Sequence, residues 1–402
     1  MEMVSVAHAE NIIGDYKKDY GTEQVSLAEA LGRILAEDLL ADRDLPPFNR
    51  ATVDGIAVQS IALMAGVDRF DVVGVQAAGM TPIGITSQDQ CVEVMTGAAV
   101  DASLDAVVRY EDCKIENGRA TLLPGLTIAA CQNIHPKGKD KNRGDLVVGK
   151  NRVVTAAVIG LAASIGKTSL LVKKLPKIAV ISTGDEMIPP DQSPTPYQLR
   201  RSNGVVIQAA LAKYKGSVDL YHLNDDPKEI NEALEGYLKG YDVLLMTGGV
   251  SKGKFDFVPG ALEKVGVVKG FHKVRQRPGK PFWFGINQAE KLVFAFPGNP
   301  VAVFMCLHRY FVPWLKQSLG IDSHCFSMAT LTKDVVFNAP LQYFVQVKLT
   351  INAEGILIAT PFETNGSGDF SNLVYADAFM ELPVGPGVFK KGDRFKVWRY
   401  DW

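Results

Sequence analysis

Apolar positions along the chain recur in two periods. Val6, Ile12, Ile13 and Tyr16 fall at helical spacing and predict an amphipathic helix over residues 5–17. A second helix is predicted from Ser26, carrying Leu27, Ala30 and Leu31. The strand-like run Ile34–Leu40 follows, and Leu45-Pro46-Pro47-Phe48 marks a break. From Phe48 to about Gly138 the pattern shortens to β-type runs: Phe70–Gln76, Cys91–Met95, Ala106–Tyr110 and Ala120–Leu123, with Asn117-Gly118 as a hairpin turn. This predicts a small β domain inserted into a helical frame. The frame resumes at Asp145–Gly166, with a helix of small residues from Ala156 to Ile165.

From Lys177 the texture changes again. Ile178–Ser182, Val243–Met246 and Leu292–Phe296 carry no charge, the mark of strands buried on both faces, and Val218–Leu223 reads as another strand. Helical spacing between them covers Val206–Tyr214, the stretch after Asp226-Pro227, Val258–Val265 with Pro259 in its first turn, and Val301–Leu315. Ser202 or Asn203, Asp226 and Asn299 suit the caps, and Pro300 suits a first helical position. Pro313 should kink or end the last helix. Strand and helix alternate to about Leu319, as a doubly wound parallel sheet requires. Beyond Phe326 the β runs Phe344–Ile351, Gly355–Thr360, Ala378–Leu382 and Arg394–Tyr400 predict a separate barrel or sandwich.

At 402 residues, and about 100–200 per domain, the chain should hold two to four domains. A hydrophobic share of 47% is ample for their cores. The formal charge of −1 gives no reason to expect nucleic acid or an anionic membrane as partner, so any cationic function must be local. Cys91, Cys113, Cys131, Cys306 and Cys325 are odd in number and form no CxxC, which argues against a disulfide framework or zinc site and fits a reducing cytoplasm. No basic region followed by an apolar core opens the chain, and the weakly polar run Thr155–Ile165 is too short to span a bilayer. The expectation is a soluble cytoplasmic protein.

Candidate chemistry gathers where the central strands end. Thr183-Gly184-Asp185-Glu186, Thr247-Gly248-Gly249-Val250-Ser251 and Pro297-Gly298-Asn299-Pro300 each follow a buried run. Such turns leave bare N–H groups at the carboxyl edge of a sheet, where an anion can approach. The same edge should carry Asp185, Glu186, Asp225 and Asp256, beside the cationic run Lys273-Val274-Arg275-Gln276-Arg277-Pro278-Gly279-Lys280. Like charges crowded together repel unless a cation or an anionic substrate bridges them. Carboxylates on Mg²⁺ with Lys and Arg on phosphate oxygens are the usual solution. Asp226, before Pro227, has a plainer role as a helix cap, leaving Asp225 the freer carboxylate. Asp256 also suits a cap, and the cationic run a solvated loop. Thr247–Gly253 is no P-loop, lacking the Gly-Lys-Ser/Thr ending, and no GxSxG or Ser–His–Asp pattern exists. The residues alone indicate an α/β enzyme or binder for a phosphorylated ligand, assisted by Mg²⁺.

Seven short elements, in order, resemble the molybdopterin molybdenumtransferase (MoeA) family, to which the gephyrin E domain is related. They are Pro46–Val58 around Asp54-Gly55, Met95-Thr96-Gly97-Ala98 with Asp105–Val108, Asn133-Ile134 with Gly138 and Asp140, and Ser182–Glu186. Gly248–Ser251 with Asp256, Arg277–Pro281 and Pro297–Pro300 complete the set. The resemblance runs nearly end to end.

It implies a multidomain α/β chain: an N-terminal helix (1–26), a linking region (27–47 and 141–174), an inserted β domain (48–140), a central doubly wound molybdopterin-binding-like domain (175–322) and a C-terminal β barrel (326–402). It also implies a homodimer whose cleft lies between the central domain of one subunit and the inserted domain of the other. The implied reaction inserts molybdate into adenylylated molybdopterin, with Mg²⁺ and release of AMP. A molybdopterin adenylyltransferase is the candidate partner supplying that substrate. Carried over, Asp54, Glu186, Asp225 and Asp256 would be catalytic, with Asp225 and Asp256 on the metal. Thr96, Ser182, Thr183, Gly184, Asp185, Gly248, Gly249, Ser251, Lys273, Arg277, Lys280, Pro297, Gly298, Asn299 and Pro300 would bind substrate. A non-catalytic scaffold or carrier, and a molybdopterin adenylyltransferase, are the alternatives. The chain departs from the pattern at Val53 and Ile56 (Met and Tyr expected), Arg277 (Lys), Asp101–Leu104 (a Pro/Gly-rich turn), His135 (Arg) and Glu93 (a basic residue).

Overall fold

The computed structural model describes residues 3–250, 257–321, 326–363, 366, 370–385 and 387–400. Helix α1 (Val6–Gly14) is capped by Ser5, whose side chain accepts the His8 N–H, and it buries Val6, Ala9 and Ile13. The helix predicted from Ser26 is a single turn, Leu27–Ala30, closed by a capping box with Glu29. Strand β1 (Thr22–Ser26) pairs antiparallel with Ser169–Lys173 far along the chain.

The inserted region is a six-stranded sheet. Its strands are β2 (Gly55–Val58), β3 (Arg69–Gln76), β4 (Gln90–Val94), β5 (Ala106–Arg109), β6 (Cys113–Glu116) and β7 (Arg119–Leu122). Their order is β5-β2-β4-β3-β7-β6, with only the β3–β4 pair parallel. The hairpin between β6 and β7 turns on Asn117 and Gly118, both at positive φ as a tight primed turn needs. Helix α2 (Ala156–Ser164), capped by Thr155, and β8 (Ser169–Lys173) return the chain to the frame.

The central domain runs β9 (Ile178–Thr183), α3 (Asn203–Ala212), β10 (Val218–Leu223), α4 (Pro227–Gly240), β11 (Val243–Thr247), α5 (Val258–Lys264), β12 (Val267–His272), β13 (Gln276–Arg277), β14 (Trp283–Asn287) and β15 (Leu292–Phe296). The sheet order is β10-β9-β11-β15-β14-β12. The first four strands are parallel, but β14 runs antiparallel to both of its neighbours, β15 and β12, so the sheet is mixed rather than wholly parallel. A short turn joins β14 to β15, as antiparallel pairing allows, whereas the longer connection from β12 to β14 carries β13. Every residue of β9, β11 and β15 is buried. Burying each large apolar side chain there contributes about 1.5–3 kcal/mol.

Helix α6 (Pro300–Cys306) leads through a π turn (Leu307–Phe311) into α7 (Val312–Ser318). The predicted break at Pro313 is therefore absorbed. The proline cannot donate to the carbonyl four residues back, and the widened π turn takes up that mismatch. No helix among the described residues is long and apolar enough to cross a membrane.

The C-terminal strands are β16 (Ser327–Leu331), β17 (Gln342–Ile351), β18 (Leu357–Pro361), β19 (Ala378–Leu382) and β20 (Arg394–Arg399). The order β17-β18-β16-β20-β19, with β19 pairing back to β17, closes a barrel. One strand of the central segment joins it: β13 pairs parallel with β17.

Candidate functional site

The sheet reverses direction at β9. From there the chain adds β10 on one side and then β11 on the other. Connections leaving in opposite directions open a crevice at the carboxyl ends, the place where such sheets bind ligands. A cavity of about 610 Å³ lies there. It is lined from β9 by Ser182, Thr183, Gly184 and Glu186, from β10 by Asp225, from β11 by Thr247–Val250, and from β15 by Pro297–Pro300. A second cavity, about 330 Å³, is lined by Gln276–Pro281, Ala302 and Leu341 and shares Pro297, Gly298 and Asn299 with the first.

The glycine turn after β11 is sterically obligatory. Gly248 has φ +95°, and a Cβ there would stand 2.9 Å from Thr183 Oγ1 and 3.1 Å from the Thr183 carbonyl oxygen. The turn is thus pressed against the end of β9, leaving backbone as the cavity wall. Thr183 Oγ1 is buried there without a hydrogen-bond partner, so a polar donor or acceptor faces the turn unused.

The acids differ in their surroundings. Asp185 does not line the cavity; its carboxylate accepts the Asp225 N–H at 2.9 Å and fixes the loop after β10. Asp226 caps α4, accepting the Lys228 and Glu229 N–H groups, which hold its carboxyl below the usual range. Asp225 is half-buried and Glu186 exposed, both on the cavity. Asn299 stands at the N-cap of α6 without a side-chain cap bond.

Of the cations, Arg277 and Lys280 line the second cavity, and the Arg277 guanidinium lies 5.9 Å from the Phe337 ring centroid. Lys273 lines neither cavity; it holds φ +80°, and its carbonyl accepts the Val4 N–H at 3.1 Å. Ser251 and Asp256 lie outside the described residues.

Several lining residues were not singled out as site residues by sequence reading. Arg200 and Arg201 precede α3 and line the first cavity. The signal was present as a basic pair immediately before a capping sequence. Asn203, expected as a cap, instead donates from Nδ2 to the Gly298 carbonyl at 2.8 Å, tying α3 to the turn after β15. Ser182 Oγ lies 3.1 Å from His222 Nδ1. Burial, then the Arg201 charge, holds the His222 imidazole below its ordinary pKa.

Asp54 and Thr96 are exposed in the inserted region and line neither cavity of this chain. They form one unit: Asp54 Oδ1 accepts the Thr96 N–H at 2.6 Å and its hydroxyl at 2.8 Å, which lowers the carboxyl pKa. The neighbouring Gly55 is required, since a Cβ would fall 1.8 Å from the Val108 carbonyl oxygen on β5. The N-terminal motifs converge here, with Ala51 N–H bonded to Ala98, Thr52 N–H to Asn133, and Asn133 Nδ2 to Val107. Two departures have local partners: Glu93 accepts the Tyr110 hydroxyl at 2.5 Å, and His135 Nε2 lies 3.1 Å from Asp140.

Among the described residues no group of three or more His, Cys, Asp and Glu side chains could hold a metal ion. The donor set still suits Mg²⁺. Glu186 and Asp225 offer hard oxygen donors on one cavity, and Mg²⁺ is commonly held by one or two carboxylates completed by substrate phosphates and water.

A switch-point cavity walled by glycine turns, basic residues and acids defines the class of α/β domains that bind phosphorylated ligands at a sheet edge. Comparison narrows the class. Residues 4–166 match the MoeA N-terminal region (domain I and II), residues 179–317 a probable molybdopterin binding domain, and residues 328–400 the MoeA C-terminal region (domain IV). The chain is 36% identical, over all of both chains, to a molybdopterin molybdenumtransferase of Synechocystis. It is 32% identical to one of Bacillus subtilis, over 98% of this chain and 93% of that one. A solved molybdopterin biosynthesis MoeA protein of Pyrococcus horikoshii superposes with a TM-score of 0.84 at 27% identity, covering 98% of this chain and 99% of that one. The chain belongs to the molybdopterin molybdenumtransferase (MoeA) family.

Proposed function

We propose that this chain is a cytoplasmic, Mg²⁺-dependent molybdopterin molybdenumtransferase. It joins molybdate to the dithiolene of adenylylated molybdopterin and releases AMP. One observation carries the reading: the two cavities share Pro297–Asn299, with backbone turns and Arg200–Arg201 on one side and Arg277 and Lys280 on the other. A phosphorylated pterin and an oxyanion repel in water. Cations and bare amides on adjoining walls offset that repulsion and hold the two anions side by side.

In this reading Ser182, Thr183, Gly184, Gly248, Gly249 and the turn after β15 bind the phosphorylated substrate, with Ser251 beyond the described residues. Asp185 orients the Asp225 loop. Glu186 and Asp225, with Asp256, would hold Mg²⁺, which supplies charge neutralisation at phosphate oxygens. Arg277 and Lys280, with Lys273, hold the oxyanion. Asp54 and Thr96 line neither cavity of their own chain, which supports a cleft completed by a second copy. The adenylylated substrate would come from a molybdopterin adenylyltransferase.

The test is AMP release from adenylylated molybdopterin, with and without molybdate and Mg²⁺. Molybdate-dependent release with formation of active cofactor is expected. Binding without release in any condition would instead make the chain a carrier. Mixing Asp54→Asn with Asp225→Asn protomers should restore partial activity, because one shared cleft is rebuilt intact; unrestored activity would sink the shared cleft.

A further inference from the structure

The C-terminal barrel reaches the second cavity through one buried side chain. β13 belongs to the cationic segment, yet its register is set by the barrel: Gln276 pairs with Gln342 and Arg277 with Tyr343. Gln276 is completely buried. Its Oε1 accepts the Tyr310 hydroxyl, and its Nε2 donates to the Gly279 carbonyl at 3.1 Å. The directions are forced. The amide oxygen only accepts, so the phenol must donate to it, and the amide nitrogen is left to donate to the Gly279 carbonyl and to Cys306 Sγ at 3.6 Å. Gly279 has no room for a side chain: at φ +83°, a Cβ would stand 2.7 Å from Cys306 Sγ.

Tyr310 sits on the π turn, which therefore aims its hydroxyl at this segment. The preceding residue on the same turn, Arg309, is linked to β17, the barrel strand that pairs with β13. Its Nε lies 3.5 Å from Glu381 on β19, and Glu381 also accepts Gln342 Nε2 from the strand that holds β13. Of the two π-turn side chains, Tyr310 thus meets β13 itself, and Arg309 meets Glu381, which bonds the β17 residue paired with Gln276.

We propose that Tyr310 and Gln276 are positioning residues for the Arg277–Lys280 oxyanion loop. The phenol orients the amide, and the amide occupies the Gly279 carbonyl. The same carbonyl accepts the Phe282 N–H at 3.2 Å, so side chain and backbone together hold the turn that carries Arg277 and Lys280 along the second cavity. The proposal rests on the reading of that loop as the oxyanion site and adds what holds it in shape.

The experiment titrates molybdate into the purified full-length chain by calorimetry, with thermal melting recorded for each variant. Arg277→Ala tests the probe and should bind molybdate weakly. Tyr310→Phe and Gln276→Met should each weaken molybdate binding roughly five- to tenfold. The double variant should bind no more weakly than either single one, since the pair acts as a unit. In turnover, KM for molybdate should rise with little change in kcat. Lower melting temperatures with unchanged molybdate affinity in both single variants would overturn the positioning role while the loop stays the oxyanion site. Wild-type affinity in Arg277→Ala would overturn the oxyanion reading of the loop, and the positioning role with it. Should Tyr310→Phe not fold, Gln276→Met carries the same comparison.

Discussion

The Asp185 carboxylate accepts the backbone N–H of Asp225 at 2.9 Å, so the loop after β9 holds the loop after β10. An acid expected to meet substrate also sets the position of the acid beside it. Asp185→Ala should leave the melting temperature nearly unchanged, since the residue is exposed. Steady-state AMP release should fall roughly ten- to a hundredfold, the scale of a small misplacement in a site.

Gly248→Ala should do more damage than its size suggests. The new methyl would meet Thr183 Oγ1 at 2.9 Å, in a backbone conformation at φ +95°. Left-handed strain alone costs about 1–2 kcal/mol. A melting temperature lowered by several degrees, together with lost AMP release, is the expected result; a melting curve matching wild type would contradict the close approach.

Asp54→Asn should abolish molybdate-dependent AMP release without moving the melting transition, because Asp54 is exposed. Thr96→Val keeps the N–H donor and removes the hydroxyl donor at 2.8 Å. Two hydrogen bonds from Thr96 lower the Asp54 pKa, so the variant should raise it. The acid limb of the rate profile should then move to higher pH, as a carboxyl titration by NMR can confirm directly.

Arg201→Gln removes a cation that, after burial, depresses the His222 imidazole. The His222 titration followed by NMR should shift upward, toward the ordinary histidine value. Since Arg201 also lines the first cavity, AMP should bind more weakly to the same variant.

His308 predicts a pH effect on stability. Burial, then the charges of Lys213 and Lys316, pushes its imidazole down to about 3, and its Nε2 has no hydrogen-bond partner. The unfolded histidine titrates near ~6.5, so on acidification the unfolded chain takes up the proton first. Stability from the neutral ring is complete above ~pH 6.5 and declines as pH falls toward about 3. His308→Phe preserves an aromatic ring beside Phe304, 4.5 Å away between centroids. Chemical denaturation between pH 7 and 4 should show a shallower loss for the variant.

Local pattern alone determined much of this protein. Charge-free runs marked β9, β11 and β15, Asp226 before Pro227 announced the α4 cap, and glycine turns located the sheet edge. Each depends on forces acting within a few residues: period, capping and allowed backbone angles. Tertiary packing decided the rest. It set β14 antiparallel to its neighbours β15 and β12, sent Asn203 to Gly298 rather than to its own helix, and brought Arg200 and Arg201 to the cavity. It also drew β13 out of the central segment and onto the barrel. Those outcomes depend on which distant backbone offers an open edge and which buried polar group still needs a partner, and neither is written in the spacing of residues along the chain.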